Sequence, residues 1–150
     1  MHDVFINFRG KDTRRNFVSH LYAALSNAGV NTFLDEADFP KGADLKDGLL
    51  DRIASSRICV VVFSRNYTES SWCLNELEKI IECHKTHGHI VLPVFYHVVP
   101  SQVRHQTGDF GNVLKAFAQE RSWGESVMSR WNTALTAATN FSGWNARNTR

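Results

Sequence analysis

Short apolar runs alternate along this chain with amphipathic stretches of helical period. Val4 to Phe8 is almost unbroken, the pattern of a strand covered on both faces. Arg9-Gly10-Lys11-Asp12-Thr13 interrupts it, and Asp12 or Thr13 can cap a helix whose inner face is Phe17, Leu21, Ala24, Leu25 and Ala28. Gly29 ends that helix as a left-handed residue. Val30 to Leu34 predicts a short second strand, Asp35 to Ala43 a loop, and Leu45, Leu49 and Ile53 one face of a weak helix. Ile58 to Phe63 is a third strand. Ile90 to Tyr96 is a fourth, and Pro93 inside it lacks one ladder donor, which places this strand near a sheet edge. His97 to Asp109 reads as a polar loop. Helices follow over Phe110 to Glu120, with Val113, Leu114 and Phe117 inward, and over Val127 to Thr139. Phe141-Ser142-Gly143-Trp144-Asn145 predicts a very short fifth strand.

The stretch from Ser64 to His84 carries the candidate chemistry. Ser70 or Ser71 can N-cap a helix whose apolar row is Cys73, Leu77, Ile80, Ile81 and Cys83. Glu76 belongs to this row, three residues after Cys73 and four before Ile80. A carboxylate at the edge of a buried stripe is costly unless something compensates it. Trp72, four residues earlier, is its neighbour on the helix surface. The competing reading is an inert glutamate on a helix flank beside a core tryptophan. Strands alternating with helices call for a parallel sheet, and such sheets bind ligands outside the strands' carboxyl ends, where strand order reverses. The Arg9-Gly10 turn, the Asp35–Ala43 loop and the Ser64–Glu76 segment converge there. For Arg9 the alternative to ligand binding is a salt bridge to Asp12 or Asp35, and for Lys41 it is solvation on a loop.

Composition narrows the classes. A chain of 150 residues with 43% hydrophobic and 21% charged residues suits one soluble domain with a sizeable core. The net charge of +2 is too small to argue for nucleic acid, and no polybasic tail stands out. No apolar stretch is long enough to span a membrane, and a strand pattern begins at once, without a signal peptide. Cys59, Cys73 and Cys83 lie inside apolar patterns, as reduced thiols of a cytosolic or nuclear protein do. His84, His87 and His89 lack a fourth ligand at a recognisable spacing, so no metal is expected.

Together these residues resemble the plant type of TIR (Toll/interleukin-1 receptor) domain over nearly the whole chain. The resemblance is carried, in order, by HDVFINFRGKDTRRNF, TFLDE…PKG, SSRICVVVFSRNYTESSWCLNEL, PVFYHVVPSQVRHQTGDFG and W…AL…NFSGW. It implies an α/β, flavodoxin-like fold: a five-stranded parallel sheet in the order 2-1-3-4-5 with helices on both faces. It also implies that residues 1–150 form a single TIR domain, without the family's last C-terminal helix, and that part of a sheet face or association surface is left unpaired. Many members hydrolyse NAD⁺ or NADP⁺ to nicotinamide and ADP-ribose-type products when self-associated, with no cofactor beyond the substrate. The catalytic glutamate of the WCLxEL motif falls on Glu76, and Trp72 with Ser70 or Ser71 belongs to the pocket wall. Arg9 and Gly10 match the RG turn, Lys41 the basic position of the second loop, and Ser19 and His20 a self-association face.

The implied partners are NAD⁺, other TIR domains, and the nucleotide-binding and leucine-rich-repeat domains of a plant immune receptor in the cytoplasm, with the nucleus as a second location. The chain departs from the family pattern, which usually has Ser at Asn7, Glu at Lys11, Arg at Lys41, and DVDP where His97-Val98-Val99-Pro100 stands. A lysine keeps the charge but loses the two-pronged grip of a guanidinium on phosphate, which favours NAD⁺ over NADP⁺. Two other classes stand beside the hydrolase. One is a non-catalytic TIR–TIR scaffold. The other, a phosphoacceptor receiver, needs an aspartate ending the third strand, where this chain has Ser64.

Overall fold

β1 (Val4–Asn7) is buried along its whole length: a parallel partner lies on each side of it, and its apolar side chains enter the clusters on both faces of the sheet. The structure, a computed structural model, describes residues 3–13, 17–34 and 47–145. β1 pairs with β2 (Thr32–Leu34) and with β3 (Ile58–Phe63), and β3 pairs with β4 (Ile90–Phe95), all in parallel. These four strands carry the sheet, and a two-residue strand, β5 (Trp144–Asn145), adds beside Val94 and Phe95, giving the order β2-β1-β3-β4-β5. The chain approaches β4 closely just before β5: a Cβ on Gly143 would stand 2.6 Å from the Pro93 carbonyl oxygen. Pro93 itself lies opposite Val61, and β5 does not extend to it, which agrees with its placement near a sheet edge.

Alternation along the strands sends Phe5, Cys59, Val61, Phe63, Val91 and Phe95 to one face, and Val4, Ile6, Val60, Val62 and Val94 to the other. The two faces are covered unequally. α1 (Gly10–Thr13) is a single turn after β1, and α2 (Ser19–Asn27) lays Leu21 and Leu25 on the second face. α3 (Asp47–Ser55) and α4 (Ser71–His87) bring Ile53, Leu74, Leu77 and Ile80 to the first face. That face is completed by α5 (Pro100–His105), α6 (Gly108–Arg121) and α7 (Glu125–Ala138), which add Val103, Phe110 and Trp131.

Three expectations change. Residues 97–109 are not a plain loop. Pro100, whose fixed φ suits a first helical turn, opens α5, and the buried Val103 anchors it. Thr13 does not cap the next helix: its hydroxyl donates to the Arg9 carbonyl, 3.2 Å away within α1, and α2 starts without a side-chain cap. Ala24 and Ala28 are exposed rather than inward, since α2 meets the sheet only along its Leu21–Leu25 line. Gly29 has φ +81°, as a C-terminal glycine should. The Asp35–Ala43 loop and Leu45 lie outside the described residues. Ile90 and Leu92, on the second face of β4, are 53% and 40% exposed, so none of the described helices covers that end of the face fully. Among the described residues no helix is long and apolar enough to cross a membrane.

Burial has a consequence at alkaline pH. Cys59, fully enclosed under α4, has its thiol pushed up to about 12 from 9.0, by desolvation first and then by Cys83 and Glu76. The folded state therefore keeps a proton that the unfolded chain sheds above pH 9. This stabilisation is complete below pH 9 and is lost as pH rises toward about 12. Urea midpoints measured at pH 8, 10 and 11 should fall steadily, and Cys59→Ala should flatten the decline. A midpoint independent of pH over this range would contradict the burial.

Candidate functional site

At the carboxyl ends of β1 and β3 the neighbouring connections diverge, one toward β2 and one toward β4. This is the place where an open parallel sheet leaves a crevice. β1 ends there on Asn7, and β3 leads through Ser64 into a 3-10 turn, Tyr67–Glu69, before α4 begins. Ser70 is the N-cap: its Oγ accepts the Cys73 N–H at 3.0 Å. That bond settles the choice between the two serines. α4 turns Cys73, Glu76, Leu77 and Ile80 inward.

Glu76 is 1% exposed, so it lies inside the protein rather than on the flank of α4. Among the described residues, two N–H donors meet it. The Trp72 indole Nε1 donates to Oε2 at 2.9 Å from one helical turn away, and the Asn7 amide Nδ2 donates to Oε1 at 2.7 Å from across the core. Each donor favours the ionised carboxylate that desolvation disfavours. Asn7 Nδ2 also donates to the Cys73 carbonyl at 3.2 Å, and the Tyr67 hydroxyl donates to Asn7 Oδ1 while lying 3.3 Å from the same carbonyl. The Cys73 thiol in turn donates to the Phe8 carbonyl at 3.2 Å. Burial first, then Cys73 and Glu76, raise the Tyr67 phenol well above its usual value, so it stays a neutral donor.

The remaining expected residues scatter. Arg9 pairs with Glu69 across the mouth of the crevice, Nη2 to Oε1 3.4 Å. Asp35 and Lys41 lie outside the described residues, as does the side chain of Asp12. Gly10 opens α1, beside Arg9. Ser71 is half-buried at the first turn of α4. Ser19 and His20 lie on α2, over the opposite face of the sheet, with His20 exposed. Among the described residues no three His, Cys, Asp or Glu side chains are grouped to hold a metal ion. His84 Nδ1 instead bonds the His89 carbonyl at 2.8 Å.

Sequence reasoning passed over Tyr67 and treated Asn7 only as a departure. For Asn7 a signal existed: it is the single polar residue within the apolar run Val4 to Phe8. For Tyr67 there was none, since its hydroxyl meets its partner only through the fold.

A profile of the TIR domain matches residues 1–150. Over 143 residues the chain is 50% identical to the disease resistance protein RPV1 of Vitis rotundifolia, covering 95% of this chain and 10% of that protein. The TMV resistance protein N of Nicotiana glutinosa is 44% identical over 145 residues, again 95% of this chain and 12% of that protein. The chain thus spans about a tenth of the length of these relatives. Among solved structures, the TIR domains of the activated Roq1 resistosome directly recognizing the pathogen effector XopQ match with a TM-score of 0.85 at 44% identity. That match covers 99% of this chain and 90% of the other. The TIR domain of the Toll-related receptor TRR-2 from Hydra magnipapillata, at 22% identity and a TM-score of 0.54 over 85% of this chain and 99% of the other, shares the fold.

The Ser70 cap is open to a direct test. Ser70→Ala should destabilise the domain by about 1 kcal/mol, a fall in Tm of about 3 °C for a chain of this size. Ser71→Ala should stay within about 0.5 kcal/mol of the parent. Equal losses from the two substitutions in thermal unfolding would mean that Ser70 does not hold the start of α4.

Proposed function

The chain belongs to the TIR domain family, and we propose that it is the TIR domain of a plant disease resistance receptor, cleaving NAD⁺ to nicotinamide and an ADP-ribose-type product when copies associate. The observation that carries this reading is Glu76, a carboxylate held by two N–H donors at the reversal of strand order. Breaking the nicotinamide–ribose bond expels a neutral pyridine from a cationic one, so the leaving group needs no proton. Most glycosidases need a second carboxyl group as acid at that step; here one carboxylate suffices. Glu76 accepts hydrogen bonds from the ribose hydroxyls and stabilises the positive charge that grows on the sugar ring.

Access demands one movement. Asn7 is fully buried and Trp72 only half-buried, so the indole is the group that swings aside to free Oε2, while Asn7 keeps Oε1. Arg9 at the crevice mouth then exchanges Glu69 for the pyrophosphate, and Lys41 adds a point charge at the phosphate end, a weaker grip on the extra phosphate of NADP⁺. Ser19 and His20 on α2 meet neighbouring TIR domains, away from the pocket, as in an assembly such as the Roq1 resistosome. The three free, buried cysteines suit a reducing cytoplasm or nucleus. The nucleotide-binding and leucine-rich-repeat portions of the receptor follow this domain. A second reading, a scaffold without catalysis, draws on the same burial: at 1% exposure Glu76 touches no ligand unless Trp72 moves.

Nicotinamide release at high protein concentration decides between them. Glu76→Gln should lose on the order of 10²–10³-fold in rate. It should remain folded with a lower Tm, because a glutamine offers only one acceptor to the two N–H groups that meet Glu76. A folded variant that keeps half the parent turnover would make this glutamate structural. Turnover per molecule should also rise with protein concentration, and Ser19→Ala with His20→Ala should depress it without altering the pocket. A flat response over a hundredfold dilution would show that the monomer is already competent.

A further inference from the structure

We propose that Asn7 is a positioning residue for Glu76: its amide, oriented by the Tyr67 hydroxyl, holds the carboxylate ionised and fixes which oxygen faces the substrate. This inference rests on the hydrolase reading for its catalytic meaning and on geometry alone for its structural one. Asn7 and Tyr67 are fully buried and Glu76 almost so, which leaves no room for water to substitute for a missing donor. The residues are far apart in sequence, 69 positions between Asn7 and Glu76 and 60 between Asn7 and Tyr67. Only the packing of α4 and the 3-10 turn over the end of β1 brings them together.

An amide can turn either its oxygen or its nitrogen toward a neighbour, and a carboxylate tolerates only the nitrogen. The surroundings of Asn7 allow one choice. On one side lie Glu76 Oε1 at 2.7 Å and the Cys73 carbonyl at 3.2 Å, both acceptors, which take the two hydrogens of Nδ2. On the other side lies the Tyr67 hydroxyl, a neutral donor, which Oδ1 accepts. A turned amide would set an oxygen against two acceptors. Tyr67 is itself held by its ring, packed edge-on against Phe63 at 5.0 Å between centroids. The chain of contacts therefore runs from the core aromatics through Tyr67 and Asn7 to Oε1. Oε2 remains with Trp72, the half-buried partner that can move.

The test separates positioning from mere packing. Asn7→Leu keeps the side-chain size and removes both donors. Asn7→Asp keeps the shape and, if Asn7→Leu fails to fold, carries the experiment alone. In each purified variant the Glu76 carboxyl carbon, labelled with ¹³C, is titrated by NMR, and nicotinamide release is measured against pH. Loss of a donor to the ionised form moves the Glu76 titration upward by about one pH unit in Asn7→Leu. In Asn7→Asp two carboxyls within hydrogen-bond distance share a proton, so the titration splits into two steps, the upper one above the parent midpoint. The acid limb of the rate profile should follow, with kcat down about tenfold to a hundredfold at neutral pH and KM little changed. Tyr67→Phe should move both readouts in the same direction by less. Folded Asn7 variants with the parent titration and the parent kcat would overturn the proposal. A shifted titration in a protein whose parent form releases no nicotinamide would uphold the hold of Asn7 on Glu76 and remove only the hydrolase reading.

Discussion

Glu76 lies at 1% exposure between α4 and the end of β1, and taking a carboxylate to such depth costs several kcal/mol unless donors replace the solvent. The two that do so reach it by different routes. Trp72 needs only one turn of helix to come beside it. Asn7 needs the whole sheet: β1 must end beneath α4, in the register that pairs Asn7 with Val61 of β3, before its amide meets Oε1. The N-terminus of α4, the end of β1 and the Tyr67 turn are consequently tied to one another through a single acid. A change at any of them is felt at the carboxylate.

The unequal faces of the sheet divide the work. The first face is thick, with α4 backed by α7, where Trp131 Nε1 donates to Asn75 at 3.2 Å and Arg130 pairs with Glu78 at 3.2 Å. A carboxylate needs such a rigid backing if its oxygens are to stay within a fraction of an ångström of their donors. The second face is thin. α2 buries no residue completely, and Ile90 and Leu92 of β4 remain in contact with solvent. Glu76 thus falls on the thicker face, and Ser19 and His20 on the thinner one.

The crevice mouth adds an electrostatic element. Arg9 is largely covered, and Glu69, its partner at 3.4 Å, is about half exposed. With one member half exposed, the pair is partly screened by solvent, and its contribution to stability is modest.

The order of strands, the parallel sheet, the Gly29 and Pro93 positions and the α4 stripe with Trp72 and Glu76 were all legible in the sequence. Each depends on local periodicity or on a partner within one helical turn, and local patterns survive without knowledge of the fold. The choice of Ser70 over Ser71, the helix over Pro100–His105 and the exposure of Ala24 and Ala28 were not, because caps and helix rotation are decided by what packs against them. The depth of Glu76 was the largest difference. The sequence placed it at the margin of a stripe, and only the fold brought Asn7 across the core to make burial tolerable. Tyr67 and Arg9 follow the same rule, finding Asn7 and Glu69 through contacts that join β1 to the segment after β3. Composition and spacing determined which residues could carry chemistry here. Tertiary structure decided which of them touch, because a hydrogen bond across the core has no signature in the order of residues that make it.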